Sequence, residues 1–216
     1  SLVLSQGEQM NDILVLEPTT TIWLYYSYVM NDPRCMEIGS AFQRFVTTLE
    51  KAQAEYDLGS ENIIKDRGSF RGGKFVVGKR AYAKVVIPPM TENLNAGTFS
   101  LIRQFVEAGG QLVLFAQPTL VDGRPSPELA DFLDRTASRI RRYTALDDKA
   151  IAESFADDRI RFCNVRGNDL YHQRRSYEDG ELLFLVNSSL SDTATGSVAL
   201  PGRELIELNA LTGEIR

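Results

Sequence analysis

Between residues 12 and 140 the chain alternates short apolar runs with segments of helical periodicity. That alternation limits the fold more than any other feature. Residues 12–16 (Asp-Ile-Leu-Val-Leu) form an apolar run ended by Pro18, as expected of a strand buried on both faces. From about Glu37, the residues Ile38, Phe42, Phe45, Val46 and Leu49 recur on one helical face. Residues 56–58 read as a second short strand, ended by Gly59. Lys74–Val77 and Arg80–Tyr82, joined by Gly78-Lys79, read as a small hairpin. Its second arm runs into a central strand at 83–87, stopped by Pro88-Pro89. Leu94, Thr98, Leu101, Ile102, Phe105 and Val106 mark a helix closed by Gly109-Gly110. A third central strand spans 111–116. Pro127 then opens a helix with Leu129, Phe132, Leu133, Ala137 and Ile140 on its apolar face. This order implies βαβ units and a parallel sheet covered on both sides. Right-handed crossovers leave a doubly wound sheet, flavodoxin-like or Rossmann-like.

From about residue 158 the pattern changes. Five strand candidates follow at 159–165, 170–177, Glu181–Asn187, 196–200 and 204–208, with a hairpin turn at Asp179-Gly180. Leu182, Phe184 and Val186 alternate onto one face. The expected organisation is an α/β domain at 1–156 and a small antiparallel β domain at 157–216. The second is close to the lower size limit for an independent core, and is expected to be incomplete. Ser1 is not a translation start, and the chain stops just after the turn Thr212-Gly213. Both ends are therefore expected to be cuts in a longer chain. No run approaches the roughly 18 apolar residues of a membrane span.

The composition narrows the chemistry. A net charge of −5 argues against a nucleic-acid surface spread over the chain. Two cysteines, Cys35 and Cys163, cannot make a disulfide framework, and with one histidine, His172, they lack zinc-site spacing. The turn after the first strand, Glu17-Pro18-Thr19-Thr20-Thr21, has no glycine, and Arg71-Gly72-Gly73-Lys74 precedes a strand, so a phosphate loop is rejected. The three threonines suit turn and capping roles. Cys35 precedes a helix, but nothing in the sequence brings His172 to it. No metal or cofactor is expected.

Three features remain as candidates. Glu17, Glu92 and Asp122 lie in loops that should converge beyond the carboxyl ends of the strands, where a glycosidase would need two carboxyls. Trp23, Tyr25, Tyr26 and Tyr28 form an aromatic loop suited to a protein interface, to the core at the sheet end, or to sugar stacking. His172 and Arg174 lie mid-strand, where a structural hydrogen-bonding row competes with a sugar contact. The basic stretch Lys65, Arg67, Arg71, Lys74, Lys79, Arg80 and Lys84 reads as a solvated hairpin, and Arg139, Arg141 and Arg142 as complements to a helix C-terminus.

The residues also resemble a known family. The opening 12–18 followed by Ile22-Trp23, the strand 78–89 ending in Pro-Pro, and the junction 105–113 resemble a non-catalytic domain of bacterial glycoside hydrolases of the α-L-rhamnosidase type. The run 172–175, Asp179-Gly180, 183–187 and Thr212-Gly213 resemble the β segment that follows it. The α/β part is also similar to the glutamine-amidotransferase-like, trimerisation domain of β-galactosidases. Active amidotransferases carry a Cys after a central strand. Here residues 112–116 run into Gln117-Pro118-Thr119 instead. The resemblance thus implies a scaffold or assembly module of a secreted or periplasmic, polysaccharide-degrading enzyme. Its implied partner is the catalytic barrel of the same parent chain, with carbohydrate and a homo-oligomer as further partners and no nucleic acid or membrane. Two other roles stay open: a carbohydrate-binding module using residues 22–28, and a small glycosidase using Glu17, Glu92 and Asp122.

Overall fold

A computed structural model describes residues 3–29, 32–157, 159–167, 169–202 and 204–216. Asp158, at the change of pattern, lies outside the described residues. The centre is a five-stranded sheet of β1 (Ile13–Leu16), β2 (Asp57–Gly59), β3 (Lys84–Ile87), β4 (Gln111–Leu114) and β5 (Ile140–Arg142). All its pairings are parallel, in the order β5-β4-β3-β1-β2. This is the flavodoxin-like order, with the direction of winding reversing between β1 and β3.

Strand alternation sorts the core onto two faces. Leu14, Leu16, Val85, Ile87, Leu112 and Leu114 pack under α4 (Ala96–Glu107) and α5 (Pro127–Arg135). Ile13, Val15, Val86 and Val113 pack under α2 (Pro33–Lys51) and α6 (Asp148–Ser154). Both faces are therefore dry, as the unbroken apolar runs require.

Several expectations are corrected. The helix expected from Glu37 begins a turn earlier, because Asp32 accepts the Arg34 backbone N–H at 2.8 Å and Pro33 presets the first helical residue. Residues 22–25, expected in a loop, belong to the short helix α1 (Thr19–Tyr25). A second short helix, α3 (Glu61–Arg67), takes in Lys65 and Arg67, the start of the stretch expected as a solvated hairpin, and α6 is a further helix beyond those expected. Ile140 is not on the helix beginning at Pro127. That helix ends at Arg135, Ala137–Arg139 form a 3-10 turn, and Ile140 opens β5. The hairpin is a three-stranded meander, Gly68–Arg71, Lys74–Val77 and Arg80–Tyr82, in a sheet separate from β3. The three arginines do serve helix C-termini, each a different one. Arg139 donates to Glu107 O of α4 (3.1 Å), Arg142 to Leu133 O of α5 (2.9 Å), and Arg141 to Glu153 O of α6.

Beyond α6 come β6 (Arg161–Arg166), β7 (Leu170–Ser176), β8 (Glu181–Asn187) and β9 (Thr195–Ala199). They pair as two antiparallel sets, β6 with β9 and β7 with β8, and Glu8–Gln9 adds antiparallel to β7. The expected strand at 204–208 is reduced to one bridge, Leu208 to Ile215. Neither core cluster includes a residue of β6–β9.

Candidate functional site

In an open α/β sheet the ligand crevice lies beyond the carboxyl ends of the strands, at the reversal point. Here the segments after β1 and β3 meet there. The inner face of α1 clamps the β3 loop. Thr21 is fully buried and its hydroxyl accepts the backbone N–H groups of Glu92 (3.0 Å) and Asn93 (3.1 Å). Thr20 donates to Glu61 Oε1 at 2.5 Å, and Glu61 Oε2 accepts the Asn95 N–H at 2.7 Å. Burial pushes the Glu61 carboxyl up, against these hydrogen bonds.

Above the clamp stands the polar group of the site. The Tyr25 hydroxyl donates to Glu92 Oε2 at 2.5 Å, and Arg34, from the first turn of α2, donates to Glu92 Oε1. Arg34 also reaches Glu37 at 3.2 Å and lies 6.0 Å from the Tyr25 ring centroid. Burial alone would raise the Glu92 carboxyl, but the bonds from Tyr25 and Arg34 outweigh it and hold Glu92 below the usual range. The hydrogen bond to Glu92 in turn raises the Tyr25 phenol. Beside this group is a shallow depression of about 410 Å³ lined by Met36, Glu37, Ser40, Arg44 and Met90. Met90 holds a left-handed backbone, φ 62°.

The three carboxylates selected from sequence therefore differ in role. Glu92 is at the centre, tied to two partners. Asp122 is a cap: its Oδ1 accepts the Ala96 N–H at the start of α4 (3.0 Å). Glu17 continues the β1–β2 ladder through its backbone, donating to Gly59 O at 3.0 Å. No hydrogen bond joins the three among the described residues. The aromatics also separate. Tyr25 turns to Glu92, while Trp23, Tyr26 and Tyr28 are 54%, 56% and 97% exposed.

His172 and Arg174 lie elsewhere, at the far end of α2. Arg174 has a fully buried side chain bonded to Glu55 (2.5 and 3.0 Å) and Asp157 (2.6 Å). His172 Nδ1 meets Gln53 Oε1 at 2.9 Å, and its Nε2 lies 3.4 Å from Glu55. These bonds fasten β7 to the segment after α2. Nineteen residues of α2, about 28 Å of helix, separate the end that carries Cys35 from the end that meets His172. That distance removes any Cys–His pair. Among the described residues no group of three His, Cys, Asp or Glu side chains could hold a metal.

Sequence reasoning missed Arg34, Glu55 and Glu61. Only Arg34 had a local signal, the Asp32-Pro33 start that places it in the first turn of α2.

No protein-family model matches the chain, and no curated protein does. Among solved structures it is similar to a rhamnosidase from Novosphingobium sp. PP1Y. The TM-score is 0.55 at 15% identity, over 86% of this chain and 18% of that one. The apo exo-carrageenase GH42 from Bacteroides ovatus also matches, with TM-score 0.46 at 12% identity, over 94% of this chain and 26% of that one. The chain thus spans a small part of the length of either protein, and the likeness to the rhamnosidase is one of fold.

Proposed function

We propose that the chain is a non-catalytic module of a bacterial glycoside hydrolase, bracing a catalytic domain of the same parent protein. One observation carries the reading. The carboxylate at the reversal point, Glu92, is held low by Tyr25 and Arg34, and Asp122 is occupied in capping α4. Glycoside hydrolysis needs a pair of carboxyls across the sugar, one of them kept protonated. Among the described residues of this end, the carboxyl raised in pKa is Glu61, and it is buried beneath α1.

The class of the parent enzyme comes by analogy, from the fold likeness to a segment of a rhamnosidase. The exposed Trp23, Leu24, Tyr26, Tyr28 and Val29 sit at the same end of the sheet and suit an interdomain contact. In this reading residues 1–156 form the brace and 157–216 the appended β domain. The parent enzyme is exported, degrades polysaccharide, and needs no cofactor from this segment.

The test has two arms. The 216-residue chain is assayed on aryl glycosides, and no turnover is expected; turnover abolished by Glu92→Gln or Glu17→Gln overturns the proposal. In the full parent protein, Trp23→Ser with Tyr26→Ser should lower the melting temperature of the catalytic domain. Unchanged melting, together with glycan binding lost in Trp23→Ala, would favour the carbohydrate-binding reading that the same exposed rings suggest.

A further inference from the structure

The open edge of β8 carries an inference independent of the glycosidase reading. Sheet edges expose unpaired backbone groups and are normally defended. The edges of the central sheet are. At β5 stand Arg141 and Arg142, and β2 is only three residues long, with Asp57 in it. By contrast β8 is a seven-residue strand, Glu-Leu-Leu-Phe-Leu-Val-Asn, paired on one side only. None of its five consecutive apolar residues is buried, and Leu185 and Val186 are 44% and 43% exposed.

The register fixes which groups face outward. Tyr177 N–H donates to Gly180 O at the hairpin turn (2.8 Å). Hydrogen-bonded pairs then recur at every second position of the ladder, at Leu182, Phe184 and Val186. Glu181, Leu183, Leu185 and Asn187 therefore turn their backbone N–H and C=O to the open edge.

Among the described residues no other strand pairs with it. β9 is paired to β6, and Leu208 bridges Ile215. A second copy does fit. We propose that two copies pair β8 antiparallel to β8 about a two-fold axis through Phe184. The sequence reads nearly the same in both directions about that residue. Leu183 then opposes Leu185 and Leu182 opposes Val186. Phe184 meets Phe184, and Glu181 meets the neutral Asn187 rather than another Glu181. The outward-facing residues oppose one another, so all the edge hydrogen bonds can form. The two three-stranded sheets become one continuous sheet in an isologous dimer.

Sedimentation velocity over a dilution series tests this. The wild-type chain should reach twice its 24.2 kDa mass. Phe184→Lys and Phe184→Glu each place like charges on the axis and should both sediment as monomers. An equimolar mixture of the two should recover the dimer, which also shows that both variants fold. Leu185→Pro removes only an outward N–H and should likewise give monomer. A wild-type monomer at every concentration, a dimer unaffected by Phe184→Lys, or a mixture that stays monomeric would each overturn the proposal.

Discussion

At the scale of single residues, two polar groups decide how the molecule behaves, and each can be probed alone. At the reversal point Tyr25→Phe removes one of the two side-chain donors on Glu92. The Glu92 carboxyl should then titrate at a higher pH, closer to its usual range, which carbon-detected NMR of the side chain would read. A carboxyl unmoved by the change would mean that Arg34 alone sets it. At the far end of α2, Arg174→Ala leaves Glu55 and Asp157 without their shared cation in a buried place. Breaking a buried pair in this way costs about 3–5 kcal/mol, and chemical denaturation should show a loss of that order. Glu92 could be picked from sequence because topology alone puts its loop at the reversal point. Of its two partners, Tyr25 stands out with the aromatic segment, whereas Arg34 enters the site only if α2 starts before Glu37, for which Asp32-Pro33 is the one local signal. Glu55 and Arg174 are 119 positions apart, and no local pattern connects them.

At the scale of elements, β1, β3 and β4 were readable because each is an apolar run followed closely by proline, whereas β5, with two of its three residues arginine, carries no such run and its Ile140 reads as part of the preceding helix. The long helices α2, α4 and α5 were readable because they run through more than two turns of apolar recurrence. The helices missed, α1, α3 and α6, have seven residues each, too few for a period to show. α1 is the least legible. It buries the hydroxyls of Thr20 and Thr21 rather than an apolar stripe, and leaves Trp23 outside. Such a helix is specified by what its hydroxyls clamp, the β3 loop and Glu61, and not by its own periodicity. α2, by contrast, owes its early start to a cap. Asp32→Ala removes the acceptor for the Arg34 N–H and should cost about 1 kcal/mol. Because it also frees the turn that presents Arg34, Glu92 should titrate at a higher pH in the same variant. A stability loss with Glu92 unmoved would separate the cap from the site.

At the scale of the whole molecule, two parts are held by different forces. The central sheet rests on two apolar clusters, one per face. The β6–β9 part has no share in either, and its deepest side chain is an arginine, Arg174. It is fastened through carboxylates: Glu55 and Asp157 on Arg174, with Asp157 also bonded by Arg159. Burial would raise the Asp157 carboxyl, but the Arg159 side chain and backbone N–H, and then Arg174, hold it far below the usual range. A carboxyl depressed in the folded state contributes stability above its unfolded pKa, near 3.9. That contribution is lost as pH falls through the lower folded value. Acid should therefore loosen the two parts in order. The polar fastening fails first, below the ordinary carboxylate range, while apolar burial does not depend on protonation. In an acid titration followed by amide NMR, resonances of β7 and β8 should lose their native positions at a higher pH than those of β1, β3 and β4. A single step shared by all five strands would mean that the fastening is as strong as the core itself, and that the two parts fold as one cooperative unit.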